Sequence, residues 1–174
     1  NMIVGKYPSL RLRRNRKSSW TRKLIQENTL SPNDFILPIF LIDGVNKKQH
    51  IKSMPGVYRY SVDRIGQIID KAISKGIPMV ALFPNTKKSL KNELGSEALN
   101  ENNLVCRASR MIKKKYKNQI GIMCDVALDP YTSHGHDGLL NNKYEILNDE
   151  TNQVLVQQSL LLLSLIHISE PTRP

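Results

Sequence analysis

Three short apolar runs constrain this chain most: residues 35–42, residues 78–83 and the cluster Ile120, Ile122 and Met123. Each has the length of a strand rather than a helix. None shows a polar alternate, so each reads as a strand covered on both faces, the pattern of a parallel sheet. Between the runs the period changes. Ile65, Ile68, Ile69, Ala72 and Ile73 fall at helical spacing and stop at Gly76. Leu104, Ala108, Met111 and Ile112 repeat that spacing, with Lys113, Lys114 and Lys115 on the far side and an end near Tyr116. Strand, helix, strand, helix, strand is the rhythm of successive βα units. Two prolines modify it: Pro38 predicts a bulge or an early strand end, and Pro84 is expected to close the second strand. Met54-Pro55-Gly56-Val57 reads as a tight turn. Residues 144–147 and 138–140 suit a small hairpin around Asn141-Asn142, after which Asn148 or Asp149 caps a helix bearing Val154, Leu155 and Leu161.

The third strand leads into the chemistry. Asp125 and Asp129 stand where it runs out, and Pro130 forbids further ladder. Gly135 and Gly138 let the chain double back, so Asp125, Asp129, His134, His136 and Asp137 can converge. Three carboxylates and two imidazoles in thirteen residues make a poor core. Such a cluster wants a cation, a cationic ligand or a basic neighbour; a solvated loop with two glycine turns is the plainer alternative. In a parallel α/β barrel the C-terminal ends of the strands carry the active site.

Composition excludes several classes. The 174 residues suffice for one ordinary core, and 40% hydrophobic with 24% charged residues is the balance of a water-soluble domain. No apolar run, the one at 160–168 included, reaches the roughly 18–20 residues of a membrane span. Cys106 and Cys124 form no disulfide framework or Cys-x-x-Cys pattern, which suits a reducing, cytoplasmic setting. The net charge of +11 invites nucleic acid, but eight basic residues against Glu27 within residues 1–28 carry +7 of it. No zinc finger, helix-turn-helix or stacking-aromatic pattern accompanies that arm, so no nucleic-acid partner is expected. Within it, residues 1–17 read as extended or disordered. Ser18 or Ser19 caps a short helix with Trp20, Leu24 and Ile25, ending before Ser31-Pro32.

The order of residues 125–138, Asp-Val-Ala-Leu-Asp-Pro-Tyr-Thr-Ser-His-Gly-His-Asp-Gly, resembles the signature segment of the delta-aminolevulinic acid dehydratases, or porphobilinogen synthases. Leu37-Pro38-Ile39-Phe40, Ser53-Met54-Pro55-Gly56-Val57, Leu82-Phe83-Pro84, Gly95-Ser96-Glu97-Ala98 and Asn148-Asp149-Glu150-Thr151 agree with that family in the same order, over roughly residues 7–160. The resemblance implies a (β/α)8 barrel, of which this chain supplies the first half behind a basic arm that wraps a neighbouring subunit of a homo-oligomer. The expected division is an arm with a short helix over 1–30, the first βα units over 31–163 and a non-native tail over 164–174. Half a barrel is expected to leave the inner faces of Val80, Leu82 and Ile122 without an opposite layer.

The implied reaction condenses two molecules of 5-aminolevulinate into porphobilinogen with loss of water. It uses two Schiff-base lysines, whose motifs lie downstream of the matched segment. Lys71, Lys75, Lys87 and the lysine triplet do not match them, so no Schiff-base lysine is expected in this chain, which should be inactive alone. Asp125 matches the family's active-site aspartate, which accepts protons or bonds the substrate amine. Zinc-dependent members carry three cysteines where this chain has Ala127, Asp129 and Asp137. Carboxylates favour magnesium or a monovalent cation over zinc, so Asp129 and Asp137 are expected to hold magnesium or contact substrate, with no zinc. His134 and His136 fall outside the family's ligand positions and are expected to order the loop. Glu97 and Arg107 read as structural polar contacts. The string at 165–174 resembles translated sequencing-adapter sequence, and Asn1 ahead of Met2 fits the same fragmentary reading. Competing readings are another carboxylate-site βα-barrel lyase and a non-enzymatic basic binding module.

Overall fold

The computed structural model describes residues 5–10 and 13–166. The chain divides into two units, Asn1–Ser31 and Pro32–Pro174. In the first, the Leu10 N–H bonds the Lys6 carbonyl at 2.9 Å, a 3-10 turn covers Arg14–Arg16, and α1 spans Ser19–Leu24. Residues 6–10 and 14–16 are thus turned rather than extended. Ser18 stands in extended backbone at the head of α1; its N–H bonds the Thr21 hydroxyl at 3.3 Å, and that hydroxyl donates to the Ser18 carbonyl at 2.8 Å. Trp20, Leu24 and Ile25 of this basic unit are exposed.

The second unit is built on five strands: β1 (Ile36–Ile42), β2 (Lys48–His50), β3 (Tyr58–Tyr60), β4 (Met79–Asn85) and β5 (Gly121–Cys124). Their order across the sheet is β2-β3-β1-β4-β5. The β3–β1, β1–β4 and β4–β5 pairs are parallel; β2 alone runs antiparallel, against β3. The three apolar runs therefore became adjacent parallel strands, as their lack of alternation predicts. Neither proline ends its strand. β1 continues through Pro38 to Ile42 and β4 through Pro84 to Asn85. At Pro38 only β4 is alongside, since β3 joins at Phe40, and at Pro84 only β1 is, since β5 stops opposite Leu82. Each proline lies where one side of its strand has no ladder to disturb. The β2–β3 hairpin turns at Met54 to Gly56, where Gly56 adopts φ +79°; its strands are too short and polar to announce themselves.

Helices cover one face. α2 (Gly66–Ser74) follows a 3-10 turn and ends at Gly76, whose φ of +75° suits glycine. α3 (Leu104–Tyr116) is capped by Asn103, whose side-chain oxygen accepts from the Cys106 N–H at 2.9 Å, and its terminal lysines complement the helix dipole. α4 spans Asn148–Ile166. Asn148 is already helical, since the Leu147 carbonyl accepts the Thr151 N–H at 3.0 Å; Asp149 and Glu150 supply negative charge to the first turn. The helix runs on into the stretch assigned to the tail, of which residues 167–174 lie outside the described residues. Before α4, the hairpin expected around Asn141 forms, with Leu140 bridged to Ile146.

The main core joins Ile39, Leu41, Val80, Leu82 and Ile122 of the sheet to Ile65, Ile69, Ala108, Ile112 and Leu162 of the helices. This corrects the expectation for Val80, Leu82 and Ile122. They face the helices, with exposures of 0%, 1% and 7%, and do not want for a layer. The other face carries their alternates, among them Phe40, Phe83 and Met123, with the Phe40 and Phe83 rings 5.7 Å apart and Met123 43% exposed. A run that is apolar on both sides has no alternation from which to tell the faces apart. Along the outer edge of β5, Met123, Val126, Leu160, Leu163 and Ile166 line an apolar groove of about 870 Å³.

Candidate active site

β5 ends at Cys124, and the chain then crosses the C-terminal end of the sheet as an irregular segment, residues 125–138. A small second core anchors it: Leu128, Tyr131 and Leu139 are buried with Ala98, and Val154 and Leu155 of α4 pack on them. The carboxylates do the opposite. Asp125, Asp129 and Asp137 are all exposed. Apolar side chains thus hold the segment down while its acids project from it, an arrangement the interleaving of Leu128 and Tyr131 with the aspartates requires.

The acids interact. The Asp129 carboxyl is pushed above its ordinary value, first by loss of water around it, then by the charge of Asp137 and a hydrogen bond with Asp137, and then by the charge of Asp125. Neighbouring carboxyls hold a proton more readily than one alone in water. Lys91 brings a positive charge near, its Nζ donating to the Asp129 carbonyl at 3.3 Å.

His134 and His136 serve the segment itself. His134 Nδ1 accepts the His136 N–H at 3.2 Å and its Nε2 lies 3.3 Å from the Glu93 carbonyl, so one neutral tautomer satisfies both. The Thr132 hydroxyl donates to the His136 carbonyl at 2.9 Å. A further seam runs through Asn92, whose N–H bonds the Tyr131 carbonyl at 3.3 Å and whose carbonyl accepts the Ser133 N–H at 3.0 Å. The segment after β4 and the one after β5 are therefore stitched together.

Sequence reading missed the ionic centre beside them. Asp43, directly after β1, pairs with Lys87, just beyond β4, and with Arg107 of α3, whose Nη2 lies at 2.7 Å. Arg107 first and Lys87 second hold the Asp43 carboxyl down to about 2. With Glu97 and Tyr131, these three line a small cleft with room for little more than a water molecule. Its only sequence signal was an acid at a strand's C-terminal end. Arg107 makes a polar contact with Asp43, and the Glu97 carboxylate accepts from the Asn100 amide at 3.0 Å.

Of the lysines named above, three lie at the surface and a fourth is paired. Lys71, Lys75 and Lys87 are exposed, and the Lys115 ammonium is stabilised by the Tyr116 hydroxyl and Asp70, which raises its pKa, the reverse of what amine attack needs. Thiolate chemistry fares no better: burial pushes Cys124 up to about 11, with the Ser109 hydroxyl 3.8 Å from its sulfur. A thiol so held stays protonated near neutrality. Among the described residues no three His, Cys, Asp or Glu side chains are placed to hold a metal ion together. The paired oxygens of Asp129 and Asp137 suit a hard ion that keeps several of its waters.

Comparison with known proteins matches this framework. The family model for delta-aminolevulinic acid dehydratase fits residues 9–164. The chain is 56% identical over 153 residues to the delta-aminolevulinic acid dehydratase of Bradyrhizobium diazoefficiens, covering 88% of this chain and 43% of the relative. To the chloroplastic delta-aminolevulinic acid dehydratase 1 of Arabidopsis thaliana it is 43% identical over 153 residues, 87% of this chain and 35% of the relative. Among solved structures it resembles the delta-aminolevulinic acid dehydratase (porphobilinogen synthase) of Toxoplasma gondii ME49 in complex with the reaction product porphobilinogen. That likeness has a TM-score of 0.84 at 36% identity and covers 90% of this chain and 44% of the other. The chain thus spans less than half the length of the relatives it matches.

Proposed function

The chain belongs to the delta-aminolevulinic acid dehydratase family, and from that premise we propose that the protein containing it condenses two molecules of 5-aminolevulinate into porphobilinogen with loss of water. The observation that carries the reading is the trio of exposed, mutually interacting carboxylates at the C-terminal end of β5. The substrate offers an ammonium group, and a cluster of carboxylates at a strand end attracts and orients such a group. Asp125 is exposed directly after the last residue of β5, which supports its role as the group that bonds the substrate amine or takes its proton. The Schiff bases on the substrate ketones are assigned to lysines outside this chain.

Asp129 and Asp137 would hold the metal, a magnesium ion by their oxygen chemistry, or else a monovalent cation. Bound there, the ion would supply positive charge for the substrate's oxygens. The residues' own part is to keep two carboxyls within hydrogen-bond reach, so that a proton or a cation between them is favoured. Zinc is not proposed, because the positions of Ala127, Asp129 and Asp137 offer carboxylate oxygens and no thiolates.

The remaining parts of the reading follow the fold. The free edge of β5 and the apolar groove beside it support continuation of the sheet into the rest of a barrel. The basic first unit, proposed as an arm over residues 1–30, exposes Trp20, Leu24 and Leu30, which supports its packing on another subunit of a homo-oligomer. No described helix is long and apolar enough to cross a membrane. Two free cysteines suit a reducing compartment, and the cytoplasm is proposed. The test is to express the full-length protein, supply 5-aminolevulinate and assay the pyrrole. Steady formation is expected; a full-length, folded protein that yields none would overturn the assignment.

A further inference from the structure

The geometry points to Gln158 of α4 as a positioning residue for the carboxylate segment, acting through the Ala127 carbonyl; this rests on the activity proposed above. Gln158 is 1% exposed, and its Nε2 donates to the Ala127 carbonyl at 3.2 Å. Ala127 lies midway between Asp125 and Asp129, two residues from each. Two helical turns earlier on the same face of α4, Thr151 holds the other end of the segment: its Oγ1 accepts the Leu139 N–H at 2.9 Å and donates to the Leu147 carbonyl. One helix therefore grips the segment at Ala127 and at Leu139, through two buried polar side chains, with Asp129 and Asp137 between the grips and Asp125 two residues ahead of the first.

A second observation separates positioning from mere stability. Among the described residues, the buried side-chain nitrogens and oxygens all find partners except Gln158 Oε1. Turning the amide over would set Oε1 against the Ala127 carbonyl, so the orientation is fixed and the orphan acceptor comes with it. A buried amide that makes one bond and leaves its oxygen unmatched is no more stabilising than an apolar side chain of the same size. Ala127 is only half-buried, so water can take over its carbonyl if the amide is removed. Glutamine at this position is a poor choice for holding the fold and a good one for fixing where Asp125 and Asp129 sit.

The experiment uses the full-length protein and three variants: Gln158→Leu, Gln158→Met and Leu162→Ala. Methionine keeps the unbranched shape should the branched leucine not fit. Leu162, 4% exposed one turn along the same helix, controls for loosening α4 without touching Ala127. The glutamine variants are expected to unfold at or above the wild-type temperature, yet to lose about tenfold or more in kcat, since small misplacements of reacting groups carry penalties of that size. KM should change far less. Amide exchange over residues 125–132, followed by mass spectrometry, should quicken in both. Leu162→Ala should lower the unfolding temperature while keeping kcat within about twofold. The assignment is overturned if both glutamine variants keep kcat within about twofold of wild type, leave exchange unchanged, or destabilise as much as Leu162→Ala. The exchange measurement needs no substrate. If the wild-type protein failed to make the pyrrole, the proposed activity would fall, and exchange alone would still decide what Gln158 does.

Discussion

Arg107 Nη2 donates to Asp43 Oδ1 at 2.7 Å, joining residues 64 positions apart and tying the end of β1 to α3. Lys87 completes the centre from beyond β4. Because these cations hold the Asp43 carboxyl at about 2, below its ordinary 3.8, the folded state binds its proton less readily than the unfolded chain does. The stabilisation is therefore fully present above about pH 4 and is lost as pH falls towards 2. Its size is on the order of 1–2 kcal/mol, since the half-exposed cations are screened by water. Asp43→Asn should cost that much at pH 7, and the gap to wild type should close near pH 2. Urea titrations at the two pH values measure it, and equal stability at pH 7 would mean the centre contributes nothing.

Asp125 is exposed and takes no part in either core. Asp125→Ala in the full-length protein should leave stability within about 0.5 kcal/mol of wild type. Turnover of 5-aminolevulinate should fall by about 100-fold or more, the scale of a lost acid–base or orienting group. Near-normal turnover would remove Asp125 from the site.

The oxygen donors Asp129 and Asp137 predict a particular metal response. Activity of the full-length protein should rise with magnesium and withstand a zinc chelator, and Asp129→Ala or Asp137→Ala should abolish the magnesium response. Tight stoichiometric zinc required for turnover, measured by elemental analysis of active protein, would contradict it.

The 174-residue chain by itself should make no pyrrole from 5-aminolevulinate, and borohydride should trap no lysine adduct. Lys71, Lys75 and Lys87 are exposed, and no carboxylate can replace an amine nucleophile. Its free β5 edge and exposed Leu160 and Leu163 should also make it self-associate, which light scattering would detect. A specific trapped adduct would place the covalent chemistry inside this chain after all.

What could be read in advance divides along physical lines. Strands β1, β4 and β5 announced themselves, because burial on both faces leaves an unbroken apolar run. The same property hid which face was which, and Val80, Leu82 and Ile122 were placed on the wrong one. β2 and β3 were missed because Lys-Gln-His and Tyr-Arg-Tyr carry no burial signal; they exist by pairing with each other and with the end of β1. The carboxylate segment was legible because its three acids are close in sequence. The Asp43 centre and the Gln158 bond join residues 64 and 31 positions apart, and nothing local marks either.

The grip of α4 has a consequence for the order of events in a growing polypeptide. Synthesis runs from the amino terminus and structure gathers as the chain emerges. Asp125, Asp129 and Asp137 leave the ribosome before Thr151 and Gln158, the residues that hold their segment at Leu139 and Ala127. Until that helix follows, their segment is held only by the seam through Asn92 and its packing on Ala98. The acids are thus written before the clasp on their segment, and a pause in translation between residues 138 and 158 would leave a nascent chain whose acids have one of their two supports.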